Sequence, residues 1–86
     1  MPTVSRFYGI AIRMYHDEHA PPHFHAYSGG GDAAIAIGTL EVLEGRLPRR
    51  ALALVLEWAS EHRAELRDNW MRAEAHLPLN DIDPLI

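Results

Sequence analysis

The feature that most constrains the fold is a change of hydrophobic period at Pro48. Before this residue, apolar and polar side chains alternate through "FYGIAIRMYH" and "HFHAY", which is typical of strands with one buried face. After it, apolar residues recur every three or four positions between residues 52 and 73, the spacing of one amphipathic helical stripe. The sequence therefore predicts an α+β fold in which a sheet precedes a helix.

Turn residues divide this pattern into elements. The prolines of "DEHAPP" favour a turn between the first two strands, and the glycines of "SGGGD" favour a hairpin before the third. We predict a three-stranded antiparallel sheet, a β-hairpin plus a third strand that could be split near Gly38 and Thr39. One long C-terminal helix follows, packs on one face and could bend near Asp68–Asn69. The strands are placed at 7–16, 23–27 and 33–44, the helix at 48–76 and an extended tail at 77–86, all within a single domain, 1–86.

Composition limits the class of protein. Of the 86 residues 48% are hydrophobic, enough for one modest core. No cysteine is present, which excludes disulfides, thiolate metal ligands and cysteine nucleophiles. No apolar run approaches the roughly 18–20 residues of a transmembrane helix, and "MPTVSRFYG" lacks the pattern of a signal peptide. We expect a soluble cytoplasmic protein without a membrane partner, which could form a homodimer through apolar surface left outside so small a core.

The net charge of −4 is unevenly distributed. Residues 1–50 hold five arginines against five acids, whereas residues 51–86 hold three arginines against seven acids and so carry the whole excess. A general nucleic-acid binder needs a basic excess, which this chain lacks. Any contact with RNA must therefore be local.

Four of the six histidines fall in the stretch "MYHDEHAPPHFHAY". In a strand, residues two apart point to the same face, so His23 and His25 can converge on one metal ion. A catalytic zinc site typically has three protein ligands and an open position, and two-histidine-plus-carboxylate sites use similar groups. One interpretation is therefore a divalent metal site, zinc or similar, on His23 and His25 with His19 as the third ligand; His16, Asp17 and His62 are alternative third ligands.

The same residues also suit chemistry without a metal. If the first two strands pair, the face opposite the core carries Arg13, Tyr15, His23, His25 and Tyr27, which supply an acid, a base and a cation for an anion. Such a set fits cleavage of RNA, with His19, at the rim of the turn, as a further candidate. A third interpretation is that these histidines are only solvated polar residues beside a turn.

Two arginines, Arg49 and Arg50, lie at the expected start of the helix, where the macrodipole disfavours cations. A phosphate contact would explain their presence, and we include them as weak candidates for phosphate binding. The alternative is that they are solvated and balanced by Glu41 and Glu44.

Several stretches resemble a small bacterial family of unknown function, domain-of-unknown-function family 4160. They are "MPTVSRFYGIAIRMY", "PPHFHA", "TLEVLEGRLP" and "RALALVLEWA", and together they cover about residues 1–80. The family's characteristic positions correspond here to His19, Pro21, Pro22, His23, His25, Glu44, Arg50, Glu57 and Trp58.

The resemblance implies a function that the residues alone do not. Genes of this family often lie beside another short gene, and such pairs look like toxin–antitoxin modules in which this family is the toxin. The expected partner is thus a small antitoxin-like protein encoded by the neighbouring gene. An RNA-cleaving toxin, a metal-binding protein and a non-enzymatic partner-binding module all remain open.

Overall fold

The computed structural model describes residues 3–16 and 18–86. In these residues five strands form one antiparallel sheet in chain order, and two helices follow the last strand. The strands are β1 (Thr3–Phe7), β2 (Ile10–Arg13), β3 (His23–Ser28), β4 (Gly31–Ala36) and β5 (Val42–Arg46), and the helices are α1 (Arg49–Glu61) and α2 (Arg63–Glu74).

The predicted sheet of three strands is wrong because the sheet has five strands, and two turns divide the segments placed at 7–16 and 33–44. The strand predicted at 7–16 contains a hairpin turn at Tyr8 and Gly9, whose φ angles are 49° and 77°. Two consecutive positive φ angles are what a two-residue hairpin turn requires, and glycine adopts one without steric cost. The strand predicted at 33–44 becomes β4 and β5, and the turn between them falls where the interruption near Gly38 and Thr39 was expected.

The single helix predicted at 48–76 is also wrong, because the chain leaves the helical conformation at His62, with φ −125° and ψ 23°. The break lies six residues before the bend expected at Asp68–Asn69. His62 is the N-cap of α2, since its carbonyl accepts the first hydrogen bond of that helix, from the Leu66 N–H at 3.0 Å. The apolar stripe runs through this break without a change of spacing, so the periodicity could not reveal it.

The core lies between one face of the sheet and the two helices. Phe24, Ile12 and Ile35 from the sheet are completely buried, and they share a cluster with Trp58 of α1 and Leu66 of α2. Burying each of these side chains contributes about 1.5–3 kcal/mol. The alternate residues of the same strands point to the opposite face, where Arg13, His25 and Tyr27 are partly exposed.

The C-terminal tail, 77–86, contains no helix or strand and packs back onto the domain. Its Ile82 N–H donates to the Val4 carbonyl of β1 at 2.8 Å, and the Trp58 indole N–H donates to the Asp83 carbonyl at 2.8 Å. Ile82 and Leu85 are buried, so the tail completes the core. Neither helix in the described part of the chain is long and apolar enough to cross a membrane.

Candidate metal centre

Strand β3 brings His23 and His25 to the same side of the sheet. They are two residues apart in an extended segment, and their ring centroids lie 5.1 Å from each other. His23 is buried, with 6% of its surface exposed, whereas 24% of the His25 side chain remains exposed. The pair therefore has one member fixed in the protein and one open to solvent.

Glu18 completes the cluster from the segment that joins β2 and β3. Its Oε1 lies 2.5 Å from His25 Nε2 and 3.6 Å from His23 Nε2. One ligand atom from each of the three residues lies within 4.8 Å of the others. Among the described residues this arrangement gives two imidazole nitrogens and one carboxylate oxygen that can face a single ion.

The orientation of His23 follows from a hydrogen bond to the backbone. Its Nδ1 lies 2.7 Å from the Pro21 carbonyl oxygen, and because a carbonyl can only accept, Nδ1 is the protonated nitrogen. In the neutral ring, Nε2 then presents a lone pair towards the Glu18 carboxylate. Two acceptors face each other at 3.6 Å, an arrangement that a cation between them would stabilise.

The distances can be compared with those of a zinc site. Zn–N and Zn–O bonds of about 2.0–2.1 Å place tetrahedral ligand atoms roughly 3.3 Å apart. The separation of 3.6 Å between His23 and Glu18 is close to this value. The separation of 2.5 Å between His25 and Glu18 is that of a direct hydrogen bond, and these atoms would have to part by roughly 0.8 Å to admit an ion.

Helix α2 packs against the cluster through Trp70. Its Trp70 ring lies 5.2 Å from the His23 ring, centroid to centroid, so the imidazole is held between the indole and the Pro21 carbonyl. Beside the cluster lies an open cavity of about 280 Å³. It is lined by Tyr15, Glu18, Trp70, Ala73, Glu74 and His76. A small ligand entering this cavity would reach the Glu18 carboxylate.

Arg13 and Tyr15 lie next to His25, as the alternation of the strands predicts. Arg13 is the cross-strand partner of His25, and the Tyr15 ring meets the His25 ring edge-on at 5.1 Å. The Tyr15 and Tyr27 hydroxyls form a hydrogen bond of 2.8 Å. Burial, followed by this hydrogen bond, raises the pKa of Tyr27 from 10.0 to about 12.

The other candidate ligands do not complete the cluster, although the His19 ring centroid lies 6.1 Å from that of His23. His19, predicted as the third ligand, is exposed, and its Nδ1 donates to the Ala20 carbonyl. His16 donates to the Leu77 carbonyl at 3.3 Å, and His62 pairs with Glu65 at 2.6 Å. Asp17 lies outside the described residues. The group that joins His23 and His25 is therefore Glu18 rather than His19.

Arg49 and Arg50 occupy the first turn of α1, as predicted from Pro48, and both are exposed. That turn contains no acidic residue, and neither arginine lines the cavity beside the cluster. Their weak assignment to phosphate binding stays a prediction.

Sequence reasoning missed Glu18. The two-histidine-plus-carboxylate pattern was recognised, but Asp17 was the acid considered. Which of two adjacent acids points at the histidines depends on the path of the turn through Pro21 and Pro22, and spacing alone does not determine it.

The fold and the cluster together define a small α+β protein with a histidine–carboxylate site at the end of a sheet. Residues 9–71, well over half of the chain, match the family described as "Domain of unknown function (DUF4160)", and the chain belongs to this family. The matched segment contains Glu18, His23 and His25. No curated protein and no solved structure matches the chain significantly.

Proposed function

We propose that this protein binds one divalent transition-metal ion, of the zinc type, through Glu18, His23 and His25. The observation that carries the proposal is that two imidazole nitrogens and one carboxylate oxygen lie within 4.8 Å of one another. The Nδ1–H of His23 donates to a backbone carbonyl, which is the usual support of a metal-binding histidine and leaves Nε2 to the metal.

The ligand set also indicates what the ion could do. Three protein ligands leave at least one coordination position open, which distinguishes catalytic sites from the four-ligand structural ones. Because the adjoining cavity is bordered by Glu18, the open position is accessible to water or a small substrate. We therefore favour a metal centre that polarises a substrate or activates water over one that only stabilises the fold.

The test is metal analysis of untagged protein purified without chelators. We expect about one ion per chain, and fewer than about 0.1 ion per chain after exposure to zinc would overturn the proposal. In zinc titrations, His25→Ala and Glu18→Gln should weaken binding by about 100-fold or more, since each removes a ligand. His19→Ala is the matched control, because it removes an exposed histidine from the same segment. It should change the zinc affinity less than threefold. A larger loss would mean that His19 is a ligand.

A second candidate uses the same residues without a metal. The contact of 2.5 Å between His25 and Glu18 is a carboxylate–imidazole pair of the kind that positions a histidine for proton transfer. With Arg13 beside it, this pair would suit phosphodiester cleavage of RNA by a toxin whose antitoxin is encoded by the neighbouring gene. This candidate would be favoured by RNA cleavage that persists in EDTA, whereas cleavage that requires added zinc would favour the first candidate. It would also be favoured by growth inhibition that His25→Ala abolishes and that expression of the neighbouring gene relieves.

A further inference from the structure

The guanidinium of Arg13 is held by stacking and makes no polar contact in the described part of the chain. Its Cζ lies 4.5 Å from the centroid of the Tyr27 ring, a cation–π arrangement. Among residues 3–16 and 18–86, no carboxylate lies within 4.0 Å of it and no side-chain hydrogen bond engages it. Its Nε is buried without an acceptor. The unsatisfied Nε is costly, and because the guanidinium has no other polar partner among the described residues, its remaining donors are available to an oxyanion.

The hydroxyls of Tyr15 and Tyr27 add a further donor to this surface. They share one hydrogen bond of 2.8 Å, which uses one of their two protons. The second O–H donates to no other described residue. Because two hydroxyls share a single hydrogen bond, the pair presents a phenolic O–H donor next to the guanidinium.

The surface adjoins the proposed metal centre. Arg13 and His25 are cross-strand partners on one face of the sheet, so their Cβ atoms lie about 5 Å apart. Tyr15 contacts the His25 ring edge-on from the other side. An anion bound by Arg13 is thus within a side-chain length of the metal ligand His25.

Two acids, Asp32 and Glu44, lie on this face beside His25 and Tyr27, and Asp32 has a basic neighbour. Asp32 is the cross-strand partner of Tyr27 in β4, and Arg46 is in turn the partner of Asp32 in β5. Asp32 makes no ion pair with Arg13 in the described residues. The charge of Arg13 therefore remains available to a ligand.

We infer that Arg13, Tyr15 and Tyr27 form the subsite that binds the phosphoryl group of a phosphate-ester substrate of the adjoining centre. The inference rests on the proposed function, since it takes the metal on Glu18, His23 and His25 as the reacting centre. A phosphate monoester suits the subsite better than a carboxylate does, because two of its three non-bridging oxygens can engage the guanidinium and the phenol while the third would face the metal. A planar carboxylate has only two oxygens for these three partners.

The experiment measures binding of inorganic phosphate by calorimetry to the zinc-loaded and the metal-free protein, with acetate as the planar anion. Phosphate should bind, acetate should bind at least about tenfold more weakly, and Arg13→Gln should weaken phosphate binding about tenfold or more. Tyr27→Phe should weaken it less, because Tyr15 then supplies the O–H. Arg67→Gln, the same charge change at an exposed position of α2, should alter it less than twofold.

Zinc stoichiometry reports separately on the proposed function and on the fold of each variant. If zinc binds but phosphate does not, or phosphate binds equally to Arg13→Gln, the subsite is wrong and the metal centre stands. If zinc does not bind while phosphate binding depends on Arg13, the metal centre is wrong and the anion subsite is not its substrate site. Should Arg13→Gln fail to fold, Arg13→Lys keeps the charge and should retain part of the affinity; unchanged affinity would contradict the role of the planar guanidinium.

In the same titrations p-nitrophenyl phosphate and the dinucleotide UpA distinguish the two sources of the phosphoryl group. Preference for the monoester assigns the subsite to small phosphate monoesters, and preference for UpA assigns it to RNA. Binding of neither, with inorganic phosphate bound, would overturn the assignment to phosphate esters.

Discussion

Asn69 joins α2 to the C-terminal tail, and its replacement by alanine should destabilise the protein strongly. The side chain is completely buried. Its amide donates to the Asn80 carbonyl at 2.9 Å and accepts from the Asn80 N–H at 2.8 Å. One side chain thus satisfies both backbone groups of a tail residue that lies in no strand or helix.

The magnitude follows from these two bonds. Each contributes about 0.5–1.5 kcal/mol net, and Asn69→Ala also leaves a small cavity in a closed part of the core. We expect the free energy of unfolding to fall by about 2–3 kcal/mol. For a domain of this size that lowers the melting temperature by about 10–20 °C.

The assay is thermal unfolding of the metal-free protein followed by circular dichroism, with Asn80→Ala as the matched control. The control keeps both backbone groups that Asn69 binds and loses only a side-chain contact of 3.4 Å to Asp68. It should cost less than about 0.5 kcal/mol. If Asn69→Ala costs less than about 1 kcal/mol, or no more than the control, the tail is not held in this way.

Two further outcomes are expected from the sheet. Burial, and then the hydrogen bond to Tyr15, raises the pKa of Tyr27 from 10.0 to about 12. The protonated phenol therefore adds stability that is complete below pH 10 and is lost as the pH rises through about 12. Ultraviolet titration should show a phenol ionisation at high pH that Tyr27→Phe removes. Gly45→Ala should cost about 2 kcal/mol or more, because φ is 73° and the new Cβ would collide with the Asp32 carbonyl oxygen. Gly38→Ala, which meets nothing within 4 Å, is its control, and equal urea midpoints for the two variants would contradict this reasoning.

The alternation of apolar and polar residues along the strands predicted most of what could be predicted about the candidate site. It predicted that Arg13 and His25 share a face opposite Phe24, and the register of β2 and β3 agrees. A shift by one residue would turn these side chains into the core, so burial of Phe24 alone determines where the polar residues point. The roles proposed for them stay predictions.

The breaks in the elements were harder to predict, because the apolar pattern continues through them. At Tyr8 and Gly9 the chain turns without proline or a pair of glycines, so the segment looks like one strand. At His62 the stripe keeps its spacing on both sides of a residue with non-helical angles. Tertiary packing determines both the turn at Tyr8 and Gly9 and the helix break at His62, since each of the resulting strands and helices buries its own apolar residues.

The position of the three proposed ligands separates stability from metal affinity. Glu18, His23 and His25 lie within eight residues of one another and are joined by the turn between β2 and β3, so the tail supplies no ligand. The tail contacts their surroundings through α2, whose Trp70 packs against His23 and directly follows Asn69, and through the Leu77 carbonyl, which accepts a hydrogen bond from His16. Asn69→Ala should therefore lower the melting temperature while changing zinc affinity by less than about tenfold. Tenfold is the smallest loss of affinity that is typical when a group supporting a metal ligand is removed. A loss as large as that of His25→Ala would mean that α2, rather than the turn, sets the geometry of the site.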